Sequence, residues 1–349
     1  MPNLFRNFVS SHRVQRIPEV ARDRLSRSVM RALEHVPLRV SLSLSSKALP
    51  IFIFHAVEDE RKSYIRHLYD YHTAAEFERV LDELLAHFRP LEDLSPDSIA
   101  GAGADRFVIT FDDGLRSAYE VAAPILERKG IPAIFFLISD FIADETVGRH
   151  VEDRFQASLI IDRLPGCSEE TRRSITDLLA EAGYPGRDIP AALQSIRRAD
   201  IGVYTEVARL MGLDLEEFFR AEKPYMSRSD MADLARRGFY LGAHSRDHSR
   251  YWEIPLDEQV AQTVESMRTV SQMFGLSYRY FAFPYKNKGI TPAFYERTRS
   301  EVDLYFTTSG WGTHMNAQGI YHRLGADGTS SALKSLRRGW RPFPLDRMQ

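Results

Sequence analysis

Cysteine is almost missing from this chain. Among 349 residues only Cys167 is present, which excludes an intramolecular disulfide framework and fits a reducing compartment. Long apolar runs are missing too: no stretch of about 18 apolar residues occurs, and the N-terminal MPNLFRNFVSSHRVQRI has no unbroken apolar core of signal-peptide length. A cytoplasmic protein is the expectation. Excess charge of one sign is absent, with 46 basic residues against 48 acidic ones and a net charge of -2. No domain-wide basic surface can then hold phosphates, which argues against nucleic acid as the main partner. Repeats and low-complexity tracts are absent as well. What remains is an ordinary globular composition, 44% hydrophobic and 27% charged, long enough for one large α/β domain or two smaller ones.

Charge is uneven only at the start. Residues 1–40 hold eight arginines against Glu19, Asp23 and Glu34, and Val20, Leu25, Val29, Leu33 and Val36 recur at near-helical spacing. Pro18 to His35 is therefore expected to be an amphipathic helix with a basic outer face. Such a helix packs on its own domain or, as the minority reading, makes peripheral contact with an anionic membrane surface through residues 1–40.

The chain is organised around Arg106–Gly114, RFVITFDDG. Phe107 to Thr110 read as a buried strand, and Asp112 and Asp113 fall where it must end. Neighbours on an extended chain point to opposite sides, so the two carboxylates can do different jobs, and Gly114 lets the backbone turn beneath them. Other strands are expected at Leu49–Val57, which holds His55 near its end, and around Ala133, Phe239, Tyr280, Tyr305 and Tyr321. Thr73 with Glu76 forms a capping box for a helix to Phe88, and Leu91–Ala104 reads as a loop. Seven strands, mostly with helices between, suggest a barrel with polar residues at the C-terminal strand ends. Residues 143–223 show helical patterns and no strand, an insertion of the kind that covers a site or only elaborates the scaffold.

His244 and His248 follow the strand around Phe239 and form a compact chelating pair. A carboxylate from another strand end, Asp113 being the natural one, would complete a two-histidine, one-carboxylate face with open positions. Such a face also serves non-haem iron oxygenases, but the neighbouring Asp112 favours hydrolysis. Cys167 has no catalytic pattern near it.

TFDDG at Thr110–Gly114, HSRDH at His244–His248 and RYFAFPY at Arg279–Tyr285 resemble, in order and in strand-end context, the first three motifs of the polysaccharide deacetylase family, also called the NodB-homology or carbohydrate esterase family 4 fold. The resemblance implies an α/β fold, a distorted (β/α)7 barrel with a helical insertion. It covers the barrel at 49–142 and 224–328 and leaves the insertion at 143–223 outside; a basic helical segment at 1–48 and a tail at 329–349 complete the expected division. The resemblance further implies a divalent metal, usually zinc, on Asp113, His244 and His248, with Asp112 as general base and Arg279 paired to it. Tyr285 would help stabilise the oxyanion through its backbone N–H. A leucine-x-histidine element supplies a general acid in many members, and a Pro-Arg pair stands there in others. The nearest match is Ile320-Tyr321-His322, followed by Arg323, and period 2 allows only one of His322 and Arg323 to point inward. His322 is taken as the acid and His314 as the fallback, while His55 is a further pocket residue. Trp311 and Tyr285 offer flat surfaces to a sugar ring. The implied activity is removal of an acetyl or other acyl group from an amino sugar, in a polymer or on a lipid or nucleotide carrier. The rival is a carbohydrate-binding or assembly protein that retains the fold without catalysis.

Overall fold

The computed structural model describes residues 49–142, 153–186, 188–308, 319–328 and 331–339. The helix expected at Pro18–His35, Trp311 and His314 lie outside them. Apolar, β-branched and aromatic runs have become short parallel strands. In chain order these are β1 (Ile51–Phe54), β2 (Arg89–Pro90), β3 (Arg106–Phe111), β4 (Ala133–Leu137), β5 (Tyr240–Ala243), β6 (Tyr280–Ala282), β7 (Leu304–Thr307), β8 (Ile320–His322) and β9 (Leu324–Gly325). The sheet runs β8-β7-β6-β5-β4-β3-β1-β9, with β2 beside β3, and every pairing is parallel.

β8 and β9 are consecutive pieces of one segment broken at Arg323. The first piece pairs with β7 and the second with β1, so the two ends of the sheet meet there. The result is a nearly closed, distorted (β/α) barrel. Strand alternation splits the core in two. Ile51, Val108, Ile134, Phe136, Tyr280, Phe306 and Tyr321 fill the barrel interior. Phe52, Phe111, Phe135, Leu241, Phe281 and Ile320 face the surrounding helices. Gly242 marks the tightest approach, since a Cβ there would lie 2.6 Å from the Phe136 ring and 2.8 Å from the Tyr280 carbonyl oxygen.

The helix Ala74–Leu85 has its Thr73–Glu76 capping box, with both reciprocal hydrogen bonds formed. Within the expected loop Leu91–Ala104 lies a short helix, Pro96–Gly101, which Ser95 caps by accepting from the Ser98 N–H. Its six residues are too few to show a period, so only the Ser-Pro start could have announced it.

Five helices, Asp153–Arg163, Glu169–Glu181, Ile189–Ser195, Gly202–Leu210 and Leu215–Glu222, form the insertion. They bury a core of their own around Ile160, Ile175, Leu193, Tyr204 and Val207. A second cluster joins Phe155, Leu159 and Phe219 to Ala56, Leu115 and Ile138. Those last three follow β1, β3 and β4, which seats the insertion over the C-terminal strand ends. No described helix is long and apolar enough to cross a membrane.

Candidate active site and metal centre

Three buried side chains converge where β3 and β5 end. Ligand atoms of Asp113, His244 and His248 lie within 4.8 Å of one another. Asp113 Oδ1 is 3.3 Å from His244 Nε2 and 3.3 Å from His248 Nε2. His244 extends the sheet by donating its backbone N–H to the Leu137 carbonyl at 2.8 Å, and its Nδ1–H donates to the Ala282 carbonyl at 2.9 Å. That second bond fixes the tautomer and leaves the Nε2 lone pair facing Asp113. The His248 N–H donates to Ser245 Oγ at 2.9 Å, and Gln262 Oε1 accepts from the N–H groups of Arg246 and Asp247, so the loop is tied to the helix Leu256–Phe274.

These distances fit a metal ion better than hydrogen bonds. A charge-assisted N–H to carboxylate bond closes to about 2.7–2.9 Å, whereas Asp113 Oδ1 is buried with no hydrogen-bond partner and has two imidazole nitrogens at 3.3 Å. Two nitrogens and one carboxylate oxygen are a donor set suited to zinc. The backbone is strained in the same place. Positive φ occurs, among described non-glycine residues, at Asp113 (69°), Lys223 (49°), Ser245 (65°), His248 (62°) and Tyr285 (55°). All but Lys223 belong to this cluster, where packing holds conformations costing about 1–3 kcal/mol each.

Asp112 points into the barrel and meets Arg323. The guanidinium binds both carboxylate oxygens, at 2.6 and 2.8 Å, and also donates to Thr110 Oγ1 at 3.1 Å. Arg323 is fully buried and its guanidinium lies 5.0 Å from the Phe136 ring centroid. Burial pushes the Asp112 carboxyl up, but the Arg323 charge, His244, the Arg323 hydrogen bonds and His55 together outweigh it and hold the group below its ordinary value.

The expected Arg279–Asp112 pair does not form. Arg279 precedes β6 and so stands at the opposite end of the barrel, donating to Asp303 at 2.7 Å and to the Ser300 carbonyl. Arg323 follows β8 and stands at the site end. The family resemblance of the third motif suggested Arg279 as the partner, but strand polarity decides which end of the barrel a residue reaches.

Arg323 also settles which neighbour turns inward. His322 shares the helix-facing side with Ile320, and its Nδ1 lies 2.6 Å from Thr307 Oγ1. This is not the position assumed for the acid. His322→Ala should therefore leave the rate near that of the parent chain, instead of the loss of about 10²–10⁴ that removing a general acid brings; steady-state acetate release measures it. A histidine does enter from β1. Register pairs Phe54 with Phe111, which sets His55 beside Asp112. His55 Nδ1 lies 2.5 Å from Asp327 Oδ2, and its backbone N–H donates to Asp327 Oδ1 at 3.1 Å. Asp327 was missed in the sequence, where an aspartate before Gly328 looks like any turn residue. The Tyr285 ring sits 4.5 Å from the His248 ring.

The family model of polysaccharide deacetylases matches residues 101–296, more than half of the chain. The chain belongs to the polysaccharide deacetylase family. Membership supports an amide hydrolase of the deacetylase class, a family acting on acetylated amino-sugar polysaccharides. No curated protein matches in sequence. Solved structures share the fold. The Streptococcus pyogenes deacetylase PplD in complex with acetate is 13% identical, with a TM-score of 0.53 over 85% of this chain and 100% of that one. IcaB from Ammonifex degensii is 18% identical, with a TM-score of 0.51 over 84% and 97%. BC0361, a polysaccharide deacetylase from Bacillus cereus, is 12% identical, with a TM-score of 0.52 over 85% and 70%.

Proposed function

We propose that this deacetylase is metal-dependent and removes an N-acetyl group from an amino sugar in polysaccharide or glycolipid assembly, with Asp113, His244 and His248 holding one divalent ion, zinc by their donor set. The observation that carries the proposal is the buried Asp113 oxygen facing two imidazole nitrogens, directly beside a carboxylate that Arg323 keeps ionised. When bound, the ion would supply Lewis acidity to the acyl oxygen and lower the pKa of a water in the site.

The chain's own residues do the rest. Asp112 takes the proton of the attacking water. Arg323 fixes that carboxylate in one orientation and keeps it in its basic form. His55, oriented by Asp327, gives a proton to the leaving nitrogen, so that an amine departs in place of an amide anion. The Tyr285 backbone N–H would donate to the oxyanion of the tetrahedral intermediate. The rival reading, a carbohydrate-binding or assembly protein without catalysis, has no need of a proton donor beside Asp112, and the His55–Asp327 pair supports the catalytic reading instead.

Metal content of the purified chain, measured with acetate release from N-acetylated sugars before and after chelation, tests the proposal. About one ion per chain is expected, together with release that chelator abolishes and zinc restores. A His244→Ala, His248→Ala double variant should retain neither metal nor turnover. Unchanged metal content in that variant would remove the ligand assignment.

A further inference from the structure

We infer that a cationic cleft beside Tyr285 binds an anionic oxyacid group, a phosphoryl or a carboxylate, on the saccharide whose amide is hydrolysed at the metal centre. This rests on the deacetylase reading above and names the class of substrate that reading leaves open. The cleft has a volume of about 560 Å³ and is lined by Arg154, Arg250, Lys286 and Lys288, with no carboxylate among its described lining residues. In a chain whose net charge is only -2, four cations on one cavity stand out from the background.

Three separate segments bring them there. Arg154 comes from the insertion, Arg250 from the end of the His244–His248 loop, and Lys286 and Lys288 from the turn after Tyr285. The guanidinium groups of Arg154 and Arg250 lie 5.1 and 5.6 Å from the centroid of the Tyr285 ring. That ring is the one packed against His248. An anion held by these arginines therefore sits next door to the acyl group presented to Asp112. Trp252, 5.9 Å from Tyr285, adds an aromatic wall suited to a sugar ring. Planar guanidinium forks match the oxygens of phosphate and carboxylate, and lysines add unpatterned charge at the rim. Arg250 also reaches Glu253 at 3.3 Å and lies within the field of Asp153, and neither carboxylate lines the cleft itself. The insertion thereby gains a task, since Arg154, Ala157, Gln194 and Tyr204 make one side of the cavity.

The full chain, loaded with zinc, should be titrated by calorimetry with three probes: methyl N-acetylglucosaminide, N-acetylglucosamine 1-phosphate and N-acetylglucosaminuronate. At least one anionic probe should bind about tenfold more tightly than the neutral one, as a charge-assisted hydrogen bond predicts, and added salt should shrink the difference. Lys286 and Lys288 are exposed, so a Lys286→Glu, Lys288→Glu double variant can be made without disturbing the core. It should lose at least about tenfold more affinity for the anionic probe than for the neutral one, with Arg154→Gln as a second, charge-neutralising variant. Preference for the phosphate alone assigns a phosphoryl carrier, and preference for the uronate alone assigns an acidic polymer. Equal binding of all three probes, no binding of any, or equal losses in the variants would overturn the inference. Charge-dependent binding with no acetate released from any probe would uphold the anion site and count against the deacetylase reading, which separates the two failures.

Discussion

An Arg323→Met variant should lose both stability and turnover, whereas Arg279→Met should keep its turnover. Removing one partner of a buried ion pair leaves the other buried and uncompensated, which costs about 3–5 kcal/mol, and Arg323 and Asp112 are both buried. Denaturant unfolding measures this. The pH dependence carries a sign of its own. Asp112 is held below its ordinary value in the folded chain, so the pair's stabilisation is present above the ordinary carboxylate range and is lost as pH falls through the lower folded value. Without Arg323, burial is left as the dominant influence and pushes Asp112 up. The acid limb of kcat/KM should then move to higher pH, and the base should be partly protonated where the parent chain has it ionised. Arg279 is more than a third exposed and paired with Asp303, so its loss should cost no more than about 1 kcal/mol. Equal losses of kcat/KM in the two variants would contradict the assignment of Arg323.

The contrast between these two arginines shows what the sequence could and could not reveal. Strands were legible wherever burial on both faces made a continuous apolar run, as at Ile51–Phe54, Arg106–Phe111 and Ala133–Leu137. The parallel barrel followed from helices between them. Asp112, Asp113, His244 and His248 were legible because short motifs at strand ends fix their own geometry within a few residues. Long-range partners have no such signature. Arg323 reaches Asp112 across 211 positions, and nothing in Tyr321-His322-Arg323 says that the inward side falls to the arginine. The alternation rule gave the choice between His322 and Arg323 but not its answer. That answer depends on where β8 stops pairing with β7 and β9 begins pairing with β1. The insertion's helices could be counted from period and breakers, yet their seat over the strand ends depends on Phe155, Leu159 and Phe219 finding Ala56, Leu115 and Ile138.

His55→Gln should lower kcat by about 10²–10⁴, the usual worth of a positioned general acid, and Asp327→Asn should move the alkaline limb of kcat/KM to lower pH. Burial works against a charge on His55, but the Asp327 carboxylate and its hydrogen bond outweigh that, with Asp113 and Asp112 adding to them, and the imidazole is pushed up to about 9. An acid must be protonated to act, so turnover should fall as pH rises through that value. A cation beside Asp113 would offset the share owed to Asp113 and Asp112, which places the limb of the loaded enzyme at or below about 9. Stability follows the same sign. A raised pKa contributes stability that is complete below the ordinary histidine range and is lost as pH rises through about 9. Full turnover in His55→Gln, or an alkaline limb that stays in place in Asp327→Asn, would return the search for the acid to other residues. The pair exists because the barrel closes. β1 pairs with β9 in the register Ile53 to Gly325, the Ala326 N–H donates to the Ile53 carbonyl at 2.9 Å, and the next step along both chains brings His55 to Asp327. Whatever loosens that seam should therefore disturb His55 as well as Arg323, since Arg323 lies in the seam itself and His55 reaches its partner across it.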